Sequence, residues 1–212
     1  MTEIMAIQAD DRLIVALDFH TMEDVKSLVE KLGESVSYYK VGMELFYSVG
    51  GEVVRWLRGQ GKHVFLDLKL HDIPNTVAGG LCSLMDLGAD ILNVHASGGY
   101  TMMKTAADRL HAAAEERGIP CPKLIAITVL TSINQEDWAG VGQTLPIKDA
   151  VVRLAKLAKS VGLDGVVQGN APQGALLRVH GGLPQLVEVH LAQALVAVDE
   201  HLGIGVVPPQ LG

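Results

Sequence analysis

At 212 residues the chain is long enough to bury one sizeable core and short of two comfortable domains. Its 49% apolar and 19% charged residues are an ordinary soluble globular composition, and no run approaches the roughly 18 apolar residues a membrane span needs. The net charge of −7 argues against nucleic acid or an anionic membrane as partner, but leaves room for a small anionic substrate held by a few local lysines. Met1 to Asp11 has neither a basic n-region nor an apolar h-region, so no signal peptide is expected. The two cysteines, Cys82 and Cys121, sit in apolar surroundings and read as reduced thiols of a cytoplasmic protein.

Short β-branched runs alternate with longer helical patterns. Arg12 to Leu17 reads as a strand ending at Asp18, and Thr21 caps a helix to about Leu32, with Glu23 and Asp24 in its first turn and Gly33 behind it. Strands are expected at Val36–Val41, His63–Leu70, Asp90–His95, Lys123–Leu130 and Asp164–Val167. The helices between them are Gly51–Gly59, Pro74–Leu87, Tyr100–Arg117 and Ile147–Val161. Pro74 starts its helix and Gly88, Gly118 and Gly162 follow theirs, as stop signals should. Beyond Val167 the pattern thins to a helix at Ala171–His180, a seventh strand at Gln185–Val189, a helix at Leu191–His201 and an eighth strand at Ile204–Val207, with no room for a last helix. The alternation predicts a parallel sheet, and closure into a (β/α)8 TIM barrel leaves no edges. Residues 1–212 read as a single barrel domain, with 168–212 as a divergent, incomplete tail portion.

In such a barrel the chemistry lies at the C-terminal ends of the strands. The polar residues there are Asp18, Lys40, the segment from Asp67 to Asp72, His95, and Thr128 with Thr131 and Ser132. On the third strand Val64, Leu66, Leu68 and Leu70 form one apolar face, which leaves Phe65, Asp67 and Lys69 pointing into the barrel. Two charges on an inward face are costly unless paired or used. A structural ion pair accounts for two of them. With Asp72 three residues on and Lys40 ending the neighbouring strand, two ammonium and two carboxylate groups converge in balance, and that constellation points to chemistry. The eight histidines show no metal-ligand spacing, so no metal is expected. His71 reads as a surface or supporting residue, His95 as a hydrogen-bonded core histidine, and Gly98-Gly99 as a tight turn.

The stretches Ala16-Leu17-Asp18, Lys40-Val41-Gly42, Asp67 through Thr76 (DLKLHDIPNT), Val94-His95-Ala96-Ser97-Gly98-Gly99 and Thr128 through Ser132 resemble orotidine 5′-monophosphate decarboxylase of the bacterial type, from about Leu13 to Val167. The resemblance implies a cofactor-independent decarboxylation of orotidine 5′-monophosphate to uridine 5′-monophosphate. It makes Lys69 the proton donor, sets Asp67 beside the substrate carboxylate, and completes an alternating charge array with Lys40 and Asp72. It further implies a homodimer in which Asp72 reaches the partner's site. Asp18 and Thr76 are implied at the ribose hydroxyls, Thr131 at the pyrimidine edge, and Ile73 and Asn75 among the substrate contacts. A fixed ammonium beside a carbon that loses CO₂ stabilises the developing carbanion and can then protonate it.

The chain departs from the family's pattern late. The Thr-Pro-Gly-Ile-Arg-like loop and the Gly-Arg pair that grip the phosphate are missing; Val206-Val207-Pro208-Pro209 stands in place of the latter, and Arg178 is the only lysine or arginine after Val167. A phosphate held by backbone amides alone is held more weakly. Two other readings follow: a catalytically impaired or non-catalytic nucleotide-binding barrel, and a Mg²⁺-dependent sugar-phosphate decarboxylase of the same wider group. Lys40, where the latter needs a carboxylate, disfavours it.

Overall fold

The computed structural model describes residues 13–168, 195–198 and 205–207. The strands are β1 (Leu13–Leu17), β2 (Tyr38–Gly42), β3 (His63–Leu70), β4 (Ile91–His95), β5 (Lys123–Ile127), β6 (Gly165–Gln168), β7 (Leu195–Val198) and β8 (Gly205–Val207). The helices are α1 (Met22–Leu32), α2 (Met43–Val49), α3 (Glu52–Gly59), α4 (Pro74–Met85), α5 (Gly99–Arg117), α6 (Gln135–Gly140) and α7 (Ile147–Ser160). One sheet runs in the order β7-β6-β5-β4-β3-β2-β1-β8. Its strands pair in parallel from β8 through β1 to β6, which with the intervening helices makes a (β/α) barrel.

The inside and outside of the barrel follow from strand alternation. Ile14 and Ala16, Tyr38, Phe65, Ile91 and Ile125 form an inner cluster that floors the barrel. Their neighbours Leu17, Tyr39, Val41, Val64, Leu66, Leu92, Val94, Leu124 and Ala126 face outward into the larger core under the helices. Each of the Val, Leu, Ile and Phe side chains among them contributes roughly 1.5–3 kcal/mol when taken from water. The next inward position after the floor on β2, β3 and β4 is polar: Lys40, Asp67 and Asn93. The apolar floor therefore sets the depth at which the charges begin.

The caps match their sequence signals. Thr21 accepts the Asp24 amide at 3.2 Å, and Gly118 closes α5 in the left-handed conformation. Two short helices were not anticipated. The seven-residue α2 follows β2 directly with no side-chain cap, and α6 is capped by Asn134, whose side chain accepts the Asp137 amide at 2.8 Å.

The tail brings corrections. Leu195–Val198, expected inside a helix over Leu191–His201, is strand β7. Its alternating β-branched Val196 and Val198 suit a pleated strand better than a helix. β7 also runs antiparallel to β6, so the sheet leaves the parallel pattern in its last quarter. The expected eighth strand is present as Gly205–Val207, beside β1. The expected helix Ala171–His180 and strand Gln185–Val189 lie outside the described residues. Among the described residues no helix is long and apolar enough to cross a membrane.

Candidate active site

The third strand builds the site. β3 pairs Leu66 with Leu92 and then Leu70 with Val94, so Asp67, Leu68 and Lys69 all lie opposite the single residue Asn93. This is a bulge, and it re-aims the side chains of the bulged strand. Lys69 sits within it at φ +53°, the one described non-glycine residue in the left-handed region. That conformation costs roughly 1–2 kcal/mol for a residue with a Cβ, so local propensity does not choose it. Simple alternation predicts that Asp67 and Lys69 share the inward face. They do meet, through a bulge that alternation does not contain.

The Lys69 Nζ donates to Asp67 Oδ1 at 2.7 Å. Lys40 Nζ lies 3.1 Å from Asp18 Oδ1 and 3.9 Å from Asp67 Oδ2. Asp18, Lys40, Asp67 and Lys69 thus form one chain of alternating charge across the ends of β1, β2 and β3. Asp67 is buried, and the Lys40 and Lys69 side chains are mostly so. An unpaired ion at such a depth costs several kcal/mol, and pairing offsets that penalty. Asn93, fully buried, binds both members of the inner pair: its Nδ2 donates to Asp67 Oδ1 at 2.6 Å, and its Oδ1 accepts the Lys69 backbone N–H at 2.7 Å. The sequence reading overlooked Asn93. Its signal was legible as an amide on the inward side of β4, between Ile91 and His95.

The remaining expected residues fall in two places. Asp72, Ile73, Asn75 and Thr76 are all exposed, in the turn after β3 and the first turn of α4. Asp72 is not brought to the charge array of its own chain. Its Oδ1 accepts the Ile73 amide at 2.6 Å, which holds the turn. Thr131 is half-buried in the loop after β5. The Thr128 hydroxyl donates to the Val167 carbonyl at 2.9 Å and so ties β5 to β6. His95, expected as a hydrogen-bonded core histidine, is half-buried with its ring 5.3 Å from that of His71. Burial first, then the neighbouring His71 and Lys69, push its pKa down. Gly98 and Gly99 do make a turn: a single 3₁₀ turn at Ala96–Gly98 leads into Gly99 at φ +85°, a conformation that glycine adopts without cost.

A cleft of about 720 Å³ opens at the other end of the barrel, beside the starts of β2 to β5. Its cations are neutralised there, Arg58 by Asp90, Arg117 by Asp86 and Lys123 by Asp164. The array of alternating charge lies at the opposite, C-terminal end, where barrels of this kind do their chemistry.

The fold and this array define a (β/α)-barrel protein with a lysine–aspartate site at the C-terminal ends of its strands. Residues 11–204 match the orotidine 5′-phosphate decarboxylase / HUMPS family, and the chain belongs to it. It is 46% identical over 168 residues to an orotidine 5′-phosphate decarboxylase of Carboxydothermus hydrogenoformans, covering 79% of this chain and 69% of that protein. The enzyme of that name from Pseudomonas aeruginosa is 43% identical over 188 residues, 89% of this chain and 79% of its own. Among solved structures, orotidine 5′-phosphate decarboxylase of Lactobacillus acidophilus superposes with a TM-score of 0.68 at 46% identity, over 74% of this chain and 70% of that one.

Proposed function

We propose that this protein decarboxylates orotidine 5′-monophosphate to uridine 5′-monophosphate, a step of pyrimidine biosynthesis. The observation that carries the reading is the Asp18–Lys40–Asp67–Lys69 array of alternating charge, built around the buried Asp67, in a chain whose relatives bear that activity by name. The bond from the ring carbon to the carboxylate breaks, its electron pair stays on the ring carbon, and CO₂ leaves. The Lys69 ammonium, fixed beside that carbon, stabilises the pair and gives it a proton; the neutral amine left behind regains a proton from solvent. Asp67 positions Lys69 and sets a negative charge beside the substrate carboxylate. Asp18, Thr76, Asn75, Ile73 and Thr131 contact the nucleotide in this reading.

The dimer belongs to the same proposal. Among the described residues Asp72 makes only a local bond, and it lies in a turn that also exposes Ile73 at 67%. Exposed Met43, Tyr47 and Tyr100 follow the C-terminal ends of β2 and β4. A second copy covering this side would bury them and bring its Asp72 to the array. A cytoplasmic location goes with this reading and fits the free thiols of Cys82 and Cys121.

Between the alternatives, the position of Lys40 discriminates. Its ammonium lies between Asp18 and Asp67 and fills with a fixed cation the place a divalent metal would need. That favours the metal-independent reaction over the Mg²⁺-dependent one. The test is loss of the orotate absorbance on mixing purified protein with orotidine 5′-monophosphate. The wild type should turn over, and Lys69→Ala should lose at least about 1,000-fold in kcat with its circular dichroism unchanged. A folded wild type without turnover would leave the non-catalytic nucleotide-binding barrel as the reading.

A further inference from the structure

We infer that Asn93 is a positioning residue of the decarboxylation, setting through its two amide atoms both the carboxylate and the main chain of the Asp67–Lys69 pair. The inference rests on the function proposed above. Asn93 is fully buried on the inward side of β4, opposite the three-residue bulge that holds Asp67 and Lys69. At that bulge the Lys69 N–H has lost its ladder partner on β4, and the Asn93 Oδ1 replaces it at 2.7 Å. The acceptor thereby keeps Lys69 at φ +53°, the conformation from which its Nζ turns back onto Asp67. The Nδ2 of the same amide donates to Asp67 Oδ1 at 2.6 Å, the oxygen that also receives the Lys69 ammonium at 2.7 Å. With Oδ1 held by two donors, Oδ2 is left turned toward Lys40, 3.9 Å away.

The amide is suited to this task where other side chains are not. It presents one donor and one acceptor at a fixed separation. A carboxylate would face the Asp67 carboxylate without a proton between them. An aliphatic residue would leave the Lys69 N–H buried and unpaired. Because the amide contacts the two residues that act on the reacting carboxylate, its loss should change the chemical step and leave nucleotide binding largely alone.

The experiment measures kcat and KM for orotidine 5′-monophosphate with wild type, Asn93→Ala and Asn93→Asp, together with amide hydrogen exchange. In Asn93→Ala, kcat should fall about 100-fold while KM moves less than about threefold, and the Lys69 amide should exchange faster with the rest of β3 and β4 unchanged. Asn93→Asp keeps the acceptor and loses the donor. It should keep the Lys69 amide protected while kcat still falls, and it serves as the decisive variant if Asn93→Ala does not fold. A kcat within threefold of wild type in a folded variant, or a rise in KM alone, would overturn the assignment. An inactive wild type would refute the proposed reaction instead, and the exchange of the Lys69 amide would then decide whether Asn93 holds the bulge.

Discussion

Tyr39 occupies the layer between sheet and helices with no exposed surface, and its hydroxyl has no hydrogen-bond partner among the described residues. Burial, with a smaller push from Glu34, raises its pKa to about 12. The folded chain therefore keeps a proton that the unfolded chain sheds from about pH 10. Stability that is present below pH 10 should fall between pH 10 and 12, by up to about 1.4 kcal/mol per pH unit. Tyr39→Phe removes both the unpaired hydroxyl and this titration. At neutral pH it should be neutral or stabilising by up to about 1 kcal/mol. Urea unfolding at several pH values checks this, and equal slopes for the two proteins above pH 10 would contradict it. At this same scale the inward placing of Asp67 was legible, because a period of two needs only the strand to be recognised, whereas that of Lys69 comes through the bulge. The role of Asn93 was not, because its partners come from another strand and meet it only where the register shifts.

At the scale of elements, one device recurs at the N-terminal end of the barrel. Asp90 precedes β4, and its backbone N–H donates to the Val64 carbonyl at 2.9 Å while its Oδ2 accepts the Val64 amide at 2.7 Å. Asp164 precedes β6 and makes the same pair of bonds with Leu124 of β5, at 2.9 and 2.8 Å. Each aspartate thus extends a parallel ladder by one more connection. Asp90 also holds Arg58 at 2.8 Å and the His63 ring at 3.0 Å. Asp90→Ala should cost about 2 kcal/mol by leaving these donors partly unpaired, and so lower Tm by roughly 5 °C for a chain of this size. The ratio kcat/KM should not change, since the charge array is at the other end. Calorimetry and the decarboxylase assay together test the separation of the two ends, and a parallel loss of activity would deny it. The longer helices α1, α5 and α7 were readable from Thr21, Gly118 and Gly162. The seven-residue α2 and six-residue α6 were not, because so few turns carry too little periodicity.

For the whole molecule, the proposed dimer would complete the site by bringing Asp72 of a second copy to the array. Lys69→Ala and Asp72→Ala should each be inactive alone. After mixing with subunit exchange, hybrid dimers should carry one intact site, returning about a quarter of wild-type activity. No recovery under conditions where mass spectrometry shows hybrids would rule out a shared site. Tyr47 is 73% accessible in the single chain, and the proposed dimer would cover it. Tyr47→Glu should therefore shift the sedimentation of the protein toward monomer and lower activity with it.

By itself the sequence determined the strand–helix alternation through β6 and marked Lys40, Asp67 and Lys69 as charges that converge, because each depends on local periodicity or on residue type. The tertiary structure decided the rest. It placed a bulge in β3 opposite Asn93, turned Lys69 into a left-handed backbone, put Lys40 between two carboxylates, and paired β7 antiparallel to β6. These depend on which strands lie side by side and in what register. A hydrogen bond between residues tens of positions apart leaves no period in the chain for a sequence reading to find.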